Sequence, residues 1–351
     1  MFYSFFYPVL LFLSLVHQNY LRILVIMKLR PTLLMKAKIR PATHYTRACK
    51  LISLFDLYSL HAMSSYLSAL YALRLFEKTR PLPYKQGEIL LLSHCVQEEL
   101  FWQKSFVKVF IYPQADARAE RVLLLHGWDG RSIMLRQMAQ RLQQKGYAVF
   151  APDLPAHGIS PGKKVSFYDL SRAVMEMEKH YGHFSVIIGH STGGLIGCMA
   201  ALQGLLFKRM ILIGSPCSYG KMMDRYVCNN KLPKRIAGAM KNLYQHRYGV
   251  HPDVIGPELI GSITQPVMIL HDKNDLSIEL DEAVLLSHSL KKSELIVTEG
   301  KGHNGALRDP AVFNYISDFL INTLHEDFSS YVEPKLILRA VNNKKRHKES
   351  Y

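Results

Sequence analysis

The sequence predicts an α/β fold: a mostly parallel central sheet flanked by helices, with a small helical lid insertion. Two observations point to it. Short, nearly all-apolar runs alternate along the chain with longer segments whose apolar residues fall at three- and four-residue steps. Such runs suit strands buried on both faces, and strand–helix alternation builds a parallel sheet. One stretch, 217–264, breaks the rhythm and is too long for an ordinary connection.

Residues 106–112 alternate apolar and polar, the pattern of an antiparallel edge strand. Residues 121–125 read as a strand buried on both faces. Ile133, Met134, Met138 and Leu142 give 131–145 a helical face that ends at Gly146. A strand follows over 147–151, then a helix over 166–180 that opens with Ser166 and Asp169. Next come strand 185–188, helix 193–206, and strands 209–213 and 266–270. Helix 279–290, strand 294–297 and helix 310–324 close the chain's folded part. The insertion 217–264 lies between two strands. There it would cover the strands' carboxyl ends, where ligands bind in such sheets.

The chain has 351 residues and is 48% hydrophobic, enough for a large core. Its organisation reads as an apolar segment 1–27, a basic and helical extension 28–84, a catalytic domain 85–325 and a basic tail 326–351. The five cysteines are Cys49, Cys95, Cys198, Cys217 and Cys228, with no pair at metal-type spacing, so neither a disulfide framework nor a zinc site is expected.

The net charge of +16 sits at the ends. Residues 1–95 hold 12 Lys/Arg against 3 Asp/Glu, and residues 335–351 hold 6 against 1. Such ends suit an anionic surface such as lipid headgroups, or a solvated tail. No nucleic-acid-binding motif accompanies them, so no specific nucleic acid is expected. Residues 2–27 are apolar but broken by His17, Gln18 and Asn19. They read equally as an anchor or as sequence before a true start at Met27, and less well as a cleaved signal. Either favoured reading leaves the domain in the cytoplasm, at the inner face of the membrane if anchored. The steps of Leu51, Leu54, Phe55, Tyr58, Met63, Tyr66, Leu67, Leu70, Leu73 and Phe76 predict a helix over 51–76. It would pack on the domain or lie on a membrane.

Gly189-His190-Ser191-Thr192-Gly193 carries the chemistry. It lies between an apolar strand and an apolar helix, the context of a nucleophile elbow. A serine there must occupy a sharp turn, and the two glycines remove side chains that would collide. The alternative, a chance match, does not explain the flanking pattern. His303 stands in a glycine-rich loop after the last strand and follows Ser191 in the order Ser…Asp…His. It would serve as general base, then general acid, although a lone histidine is more often surface or filler. Asp272 and Asp275 both follow strand 266–270 as candidate acids. Trp128 and Thr192 would donate backbone N–H groups to an oxyanion. Trp128's ring can at the same time be a packing aromatic. His126, His190, Met222, Met223, Tyr226 and Tyr244 are candidate substrate-binding residues; Met240 and Leu243 share the lid's apolar character. Lid packing explains the lid residues equally well. His157 reads as a structural loop histidine.

Five ordered blocks complete the reading: Leu123 to Arg131, with His126-Gly127-Trp128-Asp129-Gly130-Arg131; Ala151 to Ser160; Gly189 to Gly194; Ile269 to Asp275; and Gly300 to His303. Over about residues 85–322 the chain resembles the bacterial serine hydrolases of the α/β-hydrolase superfamily, in particular esterase and lipase-like members with a His-Gly-Trp-x-Gly-Arg block. The resemblance implies that fold, a Ser191–His303–Asp275 triad with Asp275 preferred over Asp272, and no cofactor. It leaves the substrate open, because the fold hosts many reactions. The expected activity is hydrolysis of a carboxylic ester or thioester with a small apolar acyl group. C–C bond hydrolysis, acyl transfer on the same triad, and a non-catalytic membrane-associated binding protein are the alternatives.

Overall fold

The computed structural model describes residues 64–80 and 82–323. The expectations for 1–27, for 28–63 with Cys49, and for the tail 326–351 lie outside the described residues. Of the helix expected over 51–76, the described part is α1, Ser65–Phe76. Among the described residues no helix is long and apolar enough to cross a membrane.

After α1 come α2 (Gln86–Leu92), β1 (Val96–Trp102), β2 (Ser105–Tyr112), β3 (Arg121–Leu125), α3 (Arg136–Gln144), β4 (Ala148–Asp153) and α4 (Phe167–Tyr181). They are followed by β5 (Val186–His190), α5 (Thr192–Ala201), β6 (Arg209–Ile213), and the helices of the insertion, α6 (Tyr219–Asn229), α7 (Arg235–Tyr248) and α8 (Pro257–Ile260). The last elements are β7 (Val267–Asp272), α9 (Leu280–Ser289), β8 (Ser293–Thr298), α10 (Gly302–Gly305) and α11 (Pro310–Asn322).

The strands form one eight-stranded sheet in the order β1-β2-β4-β3-β5-β6-β7-β8. β1 and β2 are antiparallel to each other, and β2 is antiparallel to β4. All pairs from β4 through β8 are parallel. One expectation needs correction. Residues 106–112 do not form the edge, because β1 pairs outside them from Val96↔Ile111 to Trp102↔Ser105. The reason is solvation. β1 exposes Glu98 and Glu99 and buries only Leu100, so it shows no apolar alternation that would mark it as a strand. The run 193–206 also ends early as a helix, at Ala201, and turns at Gly204 with φ 102.

Alternate residues of the central strands face a single core. Val122 and Leu124, Val186 and Ile188, Ile211 and Ile213, and Met268 and Leu270 meet Met138 and Leu142 of α3 and Ile316 and Leu320 of α11. The intervening residues, such as Leu123, Ile187 and Leu212, are equally buried, as strands covered on both faces require. The lid has its own tie. Lys241 Nζ on α7 lies 2.7 Å from Asp224 Oδ2 on α6 and 2.7 Å from Asp253 Oδ1 in the turn that follows α7. α1 packs against α7.

Arg209 opens β6 with a side chain only 1% exposed. It pairs with Glu120 and donates to the Leu320 carbonyl at 2.9 Å, joining the sheet to α11. Arg209→Ala would leave Glu120 only Lys208 and orphan that carbonyl. Loss of a buried partner costs on the order of 3 kcal/mol. A urea denaturation midpoint is expected to fall accordingly, and to fall less for Arg209→Met, which keeps the buried stem.

Candidate active site

The site is built at the carboxyl ends of β3, β5, β6, β7 and β8. β5 ends at His190, and α5 begins at Thr192, which leaves Ser191 alone at the turn with φ 54 and ψ −128. A non-glycine residue at positive φ is strained, so the surroundings must hold it. They do: Ser191 N–H donates to the Ile213 carbonyl at 2.8 Å, and Gly194 N–H donates to the Ser191 carbonyl at 3.0 Å. A Cβ on Gly189 would come within 2.3 Å of Gly194 Cα, and one on Gly193 within 2.2 Å of the Leu125 carbonyl oxygen. Both glycines are therefore steric requirements of the turn.

Asp275 stands on the loop after β7, and His303, expected on a loop, lies in the short helix α10 after β8. His303 Nδ1–H donates to Asp275 Oδ2 at 2.7 Å. Asp275 Oδ1 accepts from the Ser277 and Ile278 amides at 2.7 and 3.0 Å. Burial alone would raise the Asp275 carboxyl, but His303 and the two amides together hold it below its ordinary range. Asp272 does different work. Its oxygens accept from the amides of Asn274, Lys301 and Gly302 and from Thr298 Oγ1, all within 2.8–3.0 Å. It ties the two loops together and leaves the imidazole to Asp275.

His190 is buried, and its Nε2–H donates to the His303 carbonyl at 2.9 Å, which links the His303 loop to the serine turn. The described hydrogen bonds of His303 run to Asp275 and His190; none joins its ring to Ser191 Oγ. Sequence reasoning missed Gly214. It follows β6 at φ 54, and a Cβ there would lie 3.3 Å from Asp275 Oδ2 and 3.4 Å from His303 Nδ1. The available signal was a glycine just past a buried strand, beside the strand that carries the serine.

The loop after β3 runs over Ser191. A Cβ on Gly127 would sit 2.9 Å from Ser191 Cβ. His126 Nε2 accepts from the Leu154 amide at 3.0 Å, so Nδ1 carries the proton and meets the Gly127 carbonyl at 2.7 Å. The Trp128 ring stacks on Phe167 at 5.5 Å and meets His157 edge-on at 5.2 Å. His157 is buried, with Nδ1 2.9 Å from the Pro155 carbonyl.

Four of the residues expected to contact substrate have other partners in the structure. His126 and His190 are buried, and their ring nitrogens brace loops. Met223 and Tyr244 expose no surface. The Tyr244 hydroxyl accepts from the Tyr168 amide at 3.0 Å, and its ring packs edge-on against Tyr219. The small lid must form a core of its own, and these side chains supply it together with Met240. Tyr226 packs on Phe76 of α1 at 5.2 Å, and Met222 keeps part of its surface exposed.

A family model described as the alpha/beta hydrolase fold matches residues 120–230. The crystal structure of a membrane phospholipase A, described as a bacterial virulence factor, superposes with a TM-score of 0.54 at 17% identity, over 79% of this chain and 99% of that one. The chain has the α/β-hydrolase fold. Among curated relatives, the 30 kDa subunit of magnesium chelatase from Rhodobacter capsulatus is 35% identical over 86 residues, 23% of this chain. A monoglyceride lipase homolog of Monkeypox virus is 23% identical over 237 residues, 56% of this chain and 84% of its own length. The monoacylglycerol lipase of Mycolicibacterium smegmatis is 31% identical over 111 residues, 29% of this chain. The chain spans 30% of the chelatase subunit and 39% of the mycobacterial lipase.

This α/β-hydrolase fold sets two expectations. Gly214→Ala would press a methyl group against the Asp275–His303 hydrogen bond, at a backbone φ of 54 that strains an alanine. Labelling of Ser191 by a fluorophosphonate is expected to slow by about 100-fold, the scale of a small misplacement at a reacting centre, while the protein stays folded by circular dichroism. The second concerns pH. Burial, the largest cause in each case, pushes His126, His157 and His190 down to about 4. Unfolded histidine titrates near ~6.5, so between about 6.5 and 4 the unfolded chain binds more protons. Their contribution to stability is complete above this window and is lost as pH falls through it. The melting temperature is expected to be level above about pH 7 and to drop progressively on acidification through the window.

Proposed function

We propose that the protein is a serine hydrolase that cleaves a carboxylic ester or thioester with an apolar acyl group through an acyl-enzyme on Ser191. The observation that carries this reading is the 2.7 Å His303–Asp275 pair, tethered through His190 to a strained serine turn. A monoacylglycerol-type ester is the substrate class that the names of the viral and mycobacterial relatives suggest.

In this mechanism Ser191 Oγ attacks the carbonyl carbon while His303 Nε2 takes the hydroxyl proton. Asp275 fixes the tautomer, because its bond to Nδ1–H leaves Nε2 free to accept, and it stabilises the imidazolium that forms. The tetrahedral oxyanion is received by the backbone N–H groups of Trp128 and Thr192. Thr192 is the first residue of α5, so its N–H lacks an acceptor within the helix and lies at the positive end of the dipole. One such donor is worth about 3 kcal/mol at the transition state. Collapse breaks the C–O or C–S bond, and His303 returns the proton to the leaving alcohol or thiol. Water then attacks the acyl-enzyme with His303 as base, releasing the acid and regenerating Ser191.

The test is hydrolysis of p-nitrophenyl esters of graded acyl length and of a monoacylglycerol. Ser191→Ala is expected to abolish turnover. Asp275→Asn is expected to lower kcat by about 10⁴-fold, the scale of a lost tautomer. Turnover that persists in Ser191→Ala, or an Asp275→Asn variant as fast as the parent, overturns the reading.

A further inference from the structure

α1 is built inside out for a surface helix. Its inward side is made of small residues: Ser68, Ala69 and Ala72, all fully buried, with Leu73. Small side chains let α7 of the lid approach closely. Leu73 is buried with them and Phe76 packs on Tyr219 and Tyr226, but three large apolar residues point the other way. Tyr66 is 59% exposed, Leu67 44% and Leu70 38%. At 3.6 residues per turn, Tyr66, Leu67, Leu70 and Arg74 fall within about 100° of the helix circumference and make one continuous stripe. In water a helix gains stability by the opposite arrangement, so the stripe needs a partner.

The charges around it indicate which partner. The acids of this segment turn inward. Glu77 is buried and bonds Arg247 at 3.2 Å, and Glu88 pairs with Arg131 at 2.8 Å. Arg74, Lys78 and Lys85 are exposed. Apolar residues with an aromatic, beside the exposed Arg74 and Lys78, match the interface of an anionic bilayer: rings and aliphatic chains enter the headgroup boundary while cations meet phosphates. A protein partner of matching shape would also need a ring of acidic groups, which an anionic lipid surface supplies without specific contacts.

We propose that the outward stripe of α1 seats on an anionic lipid surface, with Tyr66, Leu67 and Leu70 in the headgroup boundary and Arg74 and Lys78 beside the phosphates. The inner side of the same helix holds the lid helix α7, so the seated protein presents its lid region near the bilayer. The proposal does not depend on the chemistry assigned to Ser191.

The test is co-sedimentation of the full chain with phosphatidylcholine vesicles prepared with and without phosphatidylserine. The parent is expected to bind the phosphatidylserine vesicles more strongly. Leu67→Gln/Leu70→Gln should lower the bound-to-free ratio by about tenfold, since apolar burial drives insertion. Arg74→Gln/Lys78→Gln should weaken binding only where phosphatidylserine is present. Neither variant should change the melting temperature without vesicles. Three results would overturn the proposal: equal partition of parent and Leu67→Gln/Leu70→Gln; a melting temperature lowered by the leucine changes, which would mean that other residues of the chain cover the stripe; or a parent dimer that the leucine changes convert to monomer, which would mean that a second copy covers it.

Discussion

Ser191 holds a backbone conformation that a serine does not choose in isolation, and the carbonyl of Ile213 on the next strand keeps it there. The requirement spreads outward. Parallel pairing of β5 with β6 brings that carbonyl under the Ser191 amide, so the turn depends on strand register. β3 runs on the other side of β5, and its Leu125 carbonyl leaves no room for a Cβ at Gly193. The loop after β3 then passes within contact distance of the serine. A register slip in any of these strands would reverse faces and dismantle the turn along with the core.

The second constraint is that two carboxylates close together must do different work. Asp272 ends β7 and takes three amides and a hydroxyl, so its capacity is spent on holding the Lys301 and Gly302 backbone. Asp275, three residues on, spends one oxygen on two amides of its own loop and keeps the other for His303. Asp272 shapes the loop that delivers the imidazole, and Asp275 orients it. Gly214 supplies the space in which they meet.

How much of this could be read from the sequence follows from the local signals. Strands β3, β5, β6 and β7 were legible because burial on both faces leaves an apolar run that little else produces. β1 was not, since a solvated edge strand carrying Glu98 and Glu99 resembles a loop. The serine turn was legible because its glycines answer a local steric demand. Asp272 and Asp275 could not be separated by local pattern alone, because the difference lies in partners nearly thirty residues downstream. The roles of His126 and His190 were hidden for the same reason. A histidine that braces a loop and one that faces a ligand have the same flanking sequence, and only the Leu154 amide that donates to His126 and the His303 carbonyl that accepts from His190 tell them apart. For Met223 and Tyr244 the sequence left substrate contact and packing within the insertion open, because their spacing does not show which side faces the domain, and the structure places both side chains in that packing.

The insertion 217–264 is held from two directions, and this limits how it can move. Lys241 joins α6, α7 and the following turn through Asp224 and Asp253, so the insertion behaves as one piece. The piece is then fastened to the segment before the catalytic domain: α1 lies along α7, Phe76 packs on Tyr219 and Tyr226, and Arg247 pairs with the buried Glu77. Burial raises the Glu77 carboxyl above its ordinary range, against the pull of Arg247. Removing Arg247 from it would leave a desolvated acid without its ion-pair partner. Swinging the lid away from the sheet while α1 stays in place would incur that cost and expose the small-residue face of α1. Moving α1 and the lid together would incur neither. The position of the insertion is therefore coupled, through Glu77 and Arg247, to α1 and the residues that follow it, ahead of the sheet in sequence.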